Sequence, residues 1–317
     1  MIVTVTMNAA LDRSLTVPNF QLGMRHRASA GFTQAGGKGI NVARALKRLD
    51  VPVVASGLAG GRTGTHIVEE LTNEGILNDF VRIGQESRTS TLVVDPTSGS
   101  ATEIFEWGPE VGDDELAMLL EKIAYLARGA DVVAFCGSLP RGVDPSFYAE
   151  AIRELQRRRV RSVLDTEGEP LRRGVEAEPW LVSPNEREAE SLVGQEFHDD
   201  EDFLMALDTI AEIGARNVLI GHETGAFLLV REERRTQRYR AAIPPVEPVA
   251  KSGAGDAMLA GYLAARAAET PAEDALRAAV ATGAAATLAI GGGRFDPREA
   301  SRLGAAVTIA LAEPVAS

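Results

Sequence analysis

The 317-residue sequence predicts an α/β fold, with a doubly wound, mainly parallel sheet in three layers and a small β-sheet lid. Short apolar runs rich in β-branched residues alternate with amphipathic helical patterns, as in chains built from parallel βαβ units. Two segments, at about 13–34 and 88–107, break this rhythm and are typical of strand–turn–strand ribbons. We therefore expect one domain over residues 1–317, with the two ribbons as its lid.

The hydrophobic period places the individual elements. Apolar runs predict strands at 2–6, 53–58, 131–136, 161–165, 180–182 and 217–221. Amphipathic stretches predict helices at 38–49, 64–73, 113–127, 145–158, 186–193, 201–214, 255–268 and 272–289. In open parallel sheets the ligand lies beyond the carboxyl ends of the strands, so the loops that lead into the helices hold the candidate site residues.

The composition limits the classes of partner. A net charge of −12, with no stripe of lysine and arginine to offset it, argues against a nucleic-acid partner. The sequence shows no signal peptide and no long apolar span, so we expect no membrane partner. The single cysteine, Cys136, excludes an internal disulfide and suits a reducing compartment, so we expect a cytoplasmic protein.

A glycine-rich junction, "AKSGAGDAMLAGYLA" at 250–264, precedes a predicted helix. Unpaired backbone N–H groups and the dipole at a helix start attract anions, so Gly253, Ala254 and Gly255 are candidates for holding a transferring phosphoryl group. Asp256 could then accept the proton of an attacking hydroxyl. The alternative is that Asp256 is only an acid favoured in the first turn of a helix.

A second junction, "TQAGGKGINVARALKRL", has the same design near the other end of the chain. Gly36 and Gly37 admit a polyol close to the backbone, while Lys38 could reach an anion and Asn41 could bond a hydroxyl. The alternative is a tight loop that simply enters a packed helix. The spacing is not that of a P-loop.

Polar residues in three other loops are further candidates. Asn185 and Glu188 lie three residues apart in "SPNEREAE", and an amide with a carboxylate suits hydrated Mg²⁺. The alternative is a helix cap by Ser183 or Asn185 with Glu188 as its partner. Asp12 could clamp a substrate hydroxyl or be a turn acid, and Arg88 could bind phosphate from the lid or be a surface charge.

Taken in order, these motifs resemble the PfkB branch of the ribokinase-like sugar kinases. "AGGKGINVARAL" and "VAKSGAGDAMLAGYLA" resemble its two signatures, and "GLAGGRTG", "GSLPRGV", "LDTEGEPL" and "SPNEREAE" lie between them in the family's order. The resemblance implies a ribokinase-like fold and ATP-dependent phosphoryl transfer with Mg²⁺. It also implies that Asp256 is the base, that 253–255 form the anion hole, and that Asn185 and Glu188 position metal, through water, and phosphate.

Other stretches resemble the phosphosugar kinases of that family, which include the 1-phosphofructokinases and tagatose-6-phosphate kinases. These are "TMNAALDRS", "GQESRTSTLVVD" and "ATEIFEWGPEV". The likeness implies phosphorylation of a ketohexose phosphate: fructose 1-phosphate to fructose 1,6-bisphosphate, with tagatose 6-phosphate or fructose 6-phosphate as alternatives. It implies sugar-phosphate contacts from Asp12, Gly36, Gly37, Lys38, Asn41 and Arg88, with Arg25, Arg27 and Arg141 as secondary candidates.

The nucleotide is expected in the groove formed by the loops at Ser183, at His222 to Gly225 and at Gly253. This chain departs from the family pattern at two positions there. Ser183 replaces a lysine, and Lys251 stands where a small hydroxyl residue is usual, so Lys251 could supply the lost charge to the nucleotide phosphates. Two further expectations are a homodimer through the lid and, as a distant alternative, a sugar-binding protein without turnover.

Overall fold

The computed structural model describes residues 1–232, 235–250 and 252–313. Its strands, numbered along the chain, are β1 (Ile2–Thr6), β2 (Ala10–Thr16), β3 (Ala30–Gly36), β4 (Val53–Gly60), β5 (Leu77–Ile83), β6 (Arg88–Asp95), β7 (Ser100–Phe105), β8 (Val132–Cys136), β9 (Arg161–Asp165), β10 (Leu181–Val182), β11 (Val218–His222), β12 (Gly225–Glu232), β13 (Arg235–Ala242) and β14 (Thr308–Ala312).

The α-helices of the described residues lie mostly between these strands. They are α1 (Lys38–Arg48), α2 (Gly61–Asn73), α3 (Asp113–Leu126), α4 (Phe147–Arg157), α5 (Gly168–Val175), α6 (Glu186–Val193), α7 (Asp200–Ile213), α8 (Ala254–Ala267), α9 (Ala272–Ala286) and α10 (Pro297–Gly304). None of the helices in the described part of the chain is long and apolar enough to cross a membrane.

A large sheet of ten strands has the order β14-β13-β12-β11-β10-β9-β8-β1-β4-β5. Seven neighbouring strands of this order are parallel: β11, β10, β9, β8, β1, β4 and β5. Beyond β11, the strands β12, β13 and β14 extend the sheet with antiparallel pairing. The parallel strands therefore all end at one edge, and the loops that follow them converge there.

Helices cover both faces of this sheet. Alternate side chains of β1 point to opposite faces, so Ile2 packs in one core with α1, α2, α8 and α9. Val3 and Val5 pack in a second core with α3, α4, α5 and α7. The predicted α/β class, with a doubly wound, mainly parallel sheet between two helical layers, is confirmed.

A separate four-stranded sheet has the order β3-β2-β6-β7. Its strands come from the two ribbons that the sequence predicts. β2 and β6 are parallel, with Ala10 opposite Arg88 and Asp12 opposite Ser90. This small sheet confirms the second sheet of the predicted fold, whereas its action as a lid and the division into one domain stay predictions.

The sequence analysis omitted two α-helices and four strands of the described residues. They are α5, α10, β5 and the antiparallel strands β12, β13 and β14. Predicted strands and helices are all present, with ends that differ by up to three residues: the helix predicted from 64 begins at Gly61, and the helix predicted to 289 ends at Ala286.

Candidate active site

Side chains from distant parts of the chain meet at the carboxyl edge of the large sheet. Lys38, the first residue of α1, donates from Nζ to Asp165 Oδ1 at 2.8 Å and to Glu188 Oε1 at 2.9 Å. One turn along the same helix, Asn41 Nδ2 donates to Asp256 Oδ2 at 2.8 Å. Helix α1 therefore carries both an ammonium group and an amide to the ends of three other elements.

The start of α8 is built on a glycine that no other residue can replace without strain. Gly253 has a φ of 81°, in the left-handed region, and a Cβ there would lie 2.7 Å from Gly292 Cα. A Cβ at Gly255 would meet no atom within 4 Å, so the helix start faces open space. The first N–H groups of a helix have no partner within it, which suits them to an anion, and anion binding at 253–255 stays a prediction.

Asp256 lies in the first turn of α8 and is only 6% exposed. Its burial, followed by the nearby charge of Asp165, raises the pKa of Asp256 to about 7, against the opposing effects of Lys38 and Asn41. A carboxylate with a pKa near neutrality is suited to accept a proton from a substrate hydroxyl. The position of Asp256 in the first turn of α8 is therefore compatible with both interpretations, a first-turn acid and a general base.

The charge of Lys38 is fixed by its two acidic partners. Burial alone would lower the pKa of Lys38, but the charges of Asp165 and Glu188 outweigh it and raise that pKa well above its usual value. Those acids use two of the three ammonium protons. The contact between Lys38 and the sugar phosphate stays a prediction. The third proton of the ammonium group is the donor that such a contact would use.

Asn185 and Glu188 form the helix cap that was the alternative interpretation. Asn185 Oδ1 accepts from the Glu188 N–H at 3.0 Å, and Glu188 Oε2 accepts from the Asn185 N–H at 2.9 Å. Glu188 Oε1 faces Lys38, so the glutamate also belongs to the site. Across residues 1–232, 235–250 and 252–313, no group of three or more His, Cys, Asp or Glu side chains is arranged to hold a metal ion.

The small sheet supplies a second acid and a guanidinium. A Cβ at Gly36 would lie 1.8 Å from Asp12 Oδ2, so the carboxylate of Asp12 lies directly over this glycine. Burial raises the pKa of Asp12 to about 6, and the charge of Arg88 opposes that rise. Arg88 Nε donates to Asn8 O at 3.3 Å, and its guanidinium lies 5.9 Å from the centre of the Phe105 ring.

A cavity of about 70 Å³ lies between the small sheet and the glycine loop that follows α9. Asp12 and Ser90 line it from the small sheet, and Gly291 and Gly292 line it from the loop. The secondary candidates lie further out: Arg25 and Arg27 are exposed between β2 and β3, and Arg141 donates from Nε to Gly108 O at 2.9 Å. The small sheet thus bounds this space on one side, and the loops that hold Ser252 and Gly292 bound it on the other.

On the predicted nucleotide side, Ser183 follows β10 and its N–H donates to Leu164 O at 2.9 Å. His222 ends β11, and its Nδ1 lies 3.1 Å from Thr224 Oγ1. Gly225 begins β12 with a φ of 157°, and a Cβ there would lie 1.9 Å from Ala241 O, so strand packing already requires this glycine. Lys251 lies outside the described residues.

Sequence reasoning assigned no role to two residues that the structure brings into the site. Asp165, in the quoted motif "LDTEGEPL", ends β9 and binds Lys38. Gly292 packs onto Asn41, since a Cβ at this glycine would lie 2.4 Å from the Asn41 side chain. The three consecutive glycines at 291–293 were the signal that could have indicated a close approach.

With this geometry in place, the chain can be compared with known proteins. A family model described as pfkB family carbohydrate kinase matches residues 3–298. The chain belongs to this family. The family predicted from the sequence motifs is thereby confirmed, and the pfkB-family chain is a sugar phosphotransferase for which ATP is the co-substrate that the family implies.

Curated relatives of this pfkB-family chain extend over most of its length. A 1-phosphofructokinase of Rhodobacter capsulatus is 32% identical over 316 residues, covering 99% of each protein. A 1-phosphofructokinase of Bacillus subtilis is 33% identical over 285 residues, covering 90% of this chain and 92% of that protein.

Solved structures agree with the fold. Phosphofructokinase-2 from Escherichia coli in complex with fructose-6-phosphate has a TM-score of 0.87 and 29% identity, covering 96% of this chain and 98% of the other. Arabidopsis thaliana ribokinase complexed with ribose and ATP has a TM-score of 0.75 and 22% identity, again covering 96% of this chain and 98% of the other. The ribokinase-like fold implied by the motifs is confirmed.

Replacing Lys38 by methionine should cost stability in a pH-dependent way. The variant leaves the buried carboxylates of Asp165 and Glu188 without their counter-ion, so we expect a loss of about 2–3 kcal/mol at pH 8. Burial already raises the pKa of Glu188, and Lys38 opposes that rise, so the pKa will rise further in Lys38→Met. An acid whose pKa is raised in the folded state destabilises the fold at pH values above that pKa. As the pH falls, protonation of the acid removes this loss of stability.

Urea unfolding at pH 5 and pH 8 measures this effect. The difference between wild type and Lys38→Met should be larger at pH 8. Lys47→Met is the matched control, because Lys47 is exposed on the same helix and should give no comparable difference. An equal loss at both pH values would contradict the electrostatic explanation.

Proposed function

We propose that this pfkB-family kinase transfers the γ-phosphoryl group of ATP to fructose 1-phosphate, giving fructose 1,6-bisphosphate and ADP. The observation that carries the proposal is the placement of a buried carboxylate, Asp256, in the first turn of α8, where the preceding Ser252 lines the same cavity as Asp12. The relatives curated as 1-phosphofructokinases, at 32% and 33% identity, support this choice of sugar phosphate.

The acceptor would bind between the small sheet and the large one. Asp12, which lines the cavity, and Asn41 offer a carboxylate and an amide for its hydroxyls. Gly36 and Gly37 would offer only backbone, because a Cβ at either position would meet a neighbouring side chain within 2.7 Å. Arg88 offers a guanidinium for its phosphate, assisted by the third proton of the Lys38 ammonium group. Because Arg88 belongs to the small sheet, closure of that sheet as a lid would complete the phosphate site and exclude water.

Phosphoryl transfer then uses the start of α8. The acceptor hydroxyl attacks the γ-phosphorus, a new O–P bond forms, and the bond to the β-phosphate oxygen breaks as ADP leaves. The proton of the hydroxyl passes to Asp256, whose Oδ2 is already held by Asn41. Backbone N–H groups at 253–255 stabilise the charge on the transferring group.

ATP would lie along Ser183, His222 and Gly225, where the carboxyl ends of β10 and β11 open. A Mg²⁺ ion, when bound with ATP, would supply positive charge for the transfer. Asn185 and Glu188 would hold the metal through water. Their side-chain oxygens already accept from the Glu188 N–H and from Lys38, so an indirect contact suits them better than a direct one. Mg²⁺ usually keeps several waters and takes few protein ligands. The nucleotide contact predicted for Lys251 falls on a residue outside the described part of the chain.

Two further assignments belong to this proposal. The six residues of β7 are all exposed, and Ile104, Phe105 and Trp107 are 56%, 63% and 85% exposed, so a second copy is expected to cover the small sheet in a homodimer. We also assign the protein to the cytoplasm, which suits the single, buried, free thiol of Cys136.

Fructose 6-phosphate is the second candidate acceptor, because it is bound in the Escherichia coli phosphofructokinase-2 structure that resembles this fold. ADP release with Mg-ATP should be measured against fructose 1-phosphate, fructose 6-phosphate, tagatose 6-phosphate, fructose and ribose. We expect the highest kcat/KM for fructose 1-phosphate. A preference for another phosphosugar would change only the substrate, turnover of unphosphorylated sugars alone would remove the phosphate site, and no turnover would favour a binding protein.

Replacing Asp256 by asparagine should lower kcat by about two to four orders of magnitude, since the general base is lost. The pKa of Asp256, near 7, predicts that wild-type kcat rises with pH through that range as the carboxylate ionises, and that Asp256→Asn lacks this limb. Asp114→Asn is the control, because Asp114 is an exposed acid in the first turn of α3. This variant should keep the wild-type kcat and its rise with pH. Unchanged kcat in Asp256→Asn would rule out the base role.

Replacing Arg88 by alanine should raise the KM for the sugar phosphate at least tenfold, as expected for loss of a hydrogen bond to a charged group, and leave the KM for ATP within about twofold. Steady-state kinetics with each substrate varied in turn measure the split. Arg82→Ala, on the exposed side of β5, is the matched control. Equal changes in both KM values would argue against a sugar-phosphate contact.

A further inference from the structure

Arg44 lies on α1 and is only 2% exposed. Its guanidinium donates to four acceptors that come from separate parts of the site: Glu74 Oε2 at 2.7 Å, Asn41 Oδ1 at 3.2 Å, Gly292 O at 2.9 Å and Ala35 O at 2.7 Å. The catalytic steps proposed above make no use of this side chain. A buried arginine with so many fixed partners can orient whatever it touches.

Of the four acceptors, the side-chain amide of Asn41 is the one that also contacts Asp256, the proposed base. A guanidinium has only donors, so the oxygen of the Asn41 amide must face Arg44. The NH₂ group of the same amide must then face away, and it donates to Asp256 Oδ2 at 2.8 Å. An ionised Asp256 only accepts, so it favours the same orientation, but a protonated Asp256 can also donate to an amide oxygen. Arg44 therefore holds the orientation of the Asn41 amide in both protonation states of Asp256.

We propose that Arg44 is a positioning residue that fixes the Asn41 amide as the hydrogen-bond donor to Asp256. The inference rests on the proposed role of Asp256 as the base. With the amide fixed, one oxygen of the carboxylate is held and the other is left for the acceptor hydroxyl. If the amide turned over, its oxygen would face the carboxylate, and the protonated form of Asp256 would be favoured.

Arg44 is itself held from two sides. Glu74 accepts from Arg44 and also from Arg294 Nη2 at 3.0 Å, and Arg294 Nε donates to Gln34 Oε1 at 2.9 Å. Gln34 belongs to β3, so the guanidinium is tied to the small sheet as well as to the glycine loop. Such a network leaves Arg44 little freedom to follow a rotation of Asn41.

The charged groups around Asp256 come from several elements. Asp165 of β9 and Asp12 of β2 favour its protonated form, while Lys38 of α1 favours the ionised form. The Asn41 bond acts in the same direction as Lys38. Loss of that bond should therefore move the acid limb of the kcat profile to higher pH.

The test is Arg44→Lys in the full chain, with the preferred sugar phosphate and Mg-ATP. Lysine keeps a positive charge but cannot reproduce the planar fork of arginine. We expect kcat to fall about 10- to 100-fold, the size expected for a lost bond to a charged group, with both KM values within about threefold. The acid limb of the kcat profile should move to higher pH by about one unit. Arg48→Lys is the matched control, because Arg48 lies one turn further along α1 and bonds only Phe295 O among the contacts described for it.

A double-mutant cycle distinguishes positioning from a general structural role. In an Asn41→Ala background, Arg44→Lys should add no further shift of the acid limb, because the group on which Arg44 acts is gone. A full additional shift, or an Arg44→Lys enzyme with wild-type kcat and pH profile, would overturn the proposal. If Arg44→Lys does not fold, Glu74→Gln, which weakens the hold on Arg44, should shift the limb in the same direction by a smaller amount, and an unchanged limb would overturn the proposal.

Asp256→Asn provides the reference for the underlying mechanism. If that variant keeps wild-type kcat, Asp256 is not the base and the proposed mechanism fails whatever Arg44 does. If it loses kcat while Arg44→Lys does not, the mechanism stands and only the role of Arg44 is wrong.

Discussion

The ion pairs of Lys38 with Asp165 and Glu188 are the interaction on which the site depends. They join the start of α1 to β9 and α6, across 127 and 150 residues of sequence, and they supply positive charge where several carboxylates are buried together. Without that charge, ionised acids at the carboxyl edge of the sheet would carry a large desolvation cost. The same charge favours the ionised form of Asp256, so assembly of the site and its acid–base behaviour have a common origin.

Glycines allow the polar groups to come this close. Gly36 lies under the carboxylate of Asp12, and Gly292 lies against the amide of Asn41, at distances that no Cβ would tolerate. Because these positions lack a side chain, the backbone packs directly against the carboxylate and the amide and shields them from solvent. Low local dielectric then strengthens each hydrogen bond in the network.

Local patterns in the sequence predict most of this architecture, because strands and helices with one buried face show a clear period. The strands β12 and β13 were omitted, although they pair with each other as neighbours in sequence. The strand β14 was also omitted, since its partner β13 lies far from it in sequence, at 235–242. The role of Asp165 was missed for a similar reason: its neighbours read only as the end of a strand, and its partner lies 127 residues away. By contrast, Asp256 and Gly253 could be found because a helix start carries its own local signature.

The parallel pairing of β2 with β6 has a geometric consequence for recognition. Asp12 lies opposite Ser90, and Arg88 lies two residues before Ser90, so the acid and the guanidinium are attached to one hydrogen-bonded ladder. Their backbone positions are offset by two residues along the strands, about 6.6 Å, whatever the small sheet does relative to the large one. A movement of that sheet carries both groups together and preserves their separation. If Asp12 and Arg88 contact the acceptor as proposed, strand register would set the acceptor length that they fit, independently of how far the two sheets close.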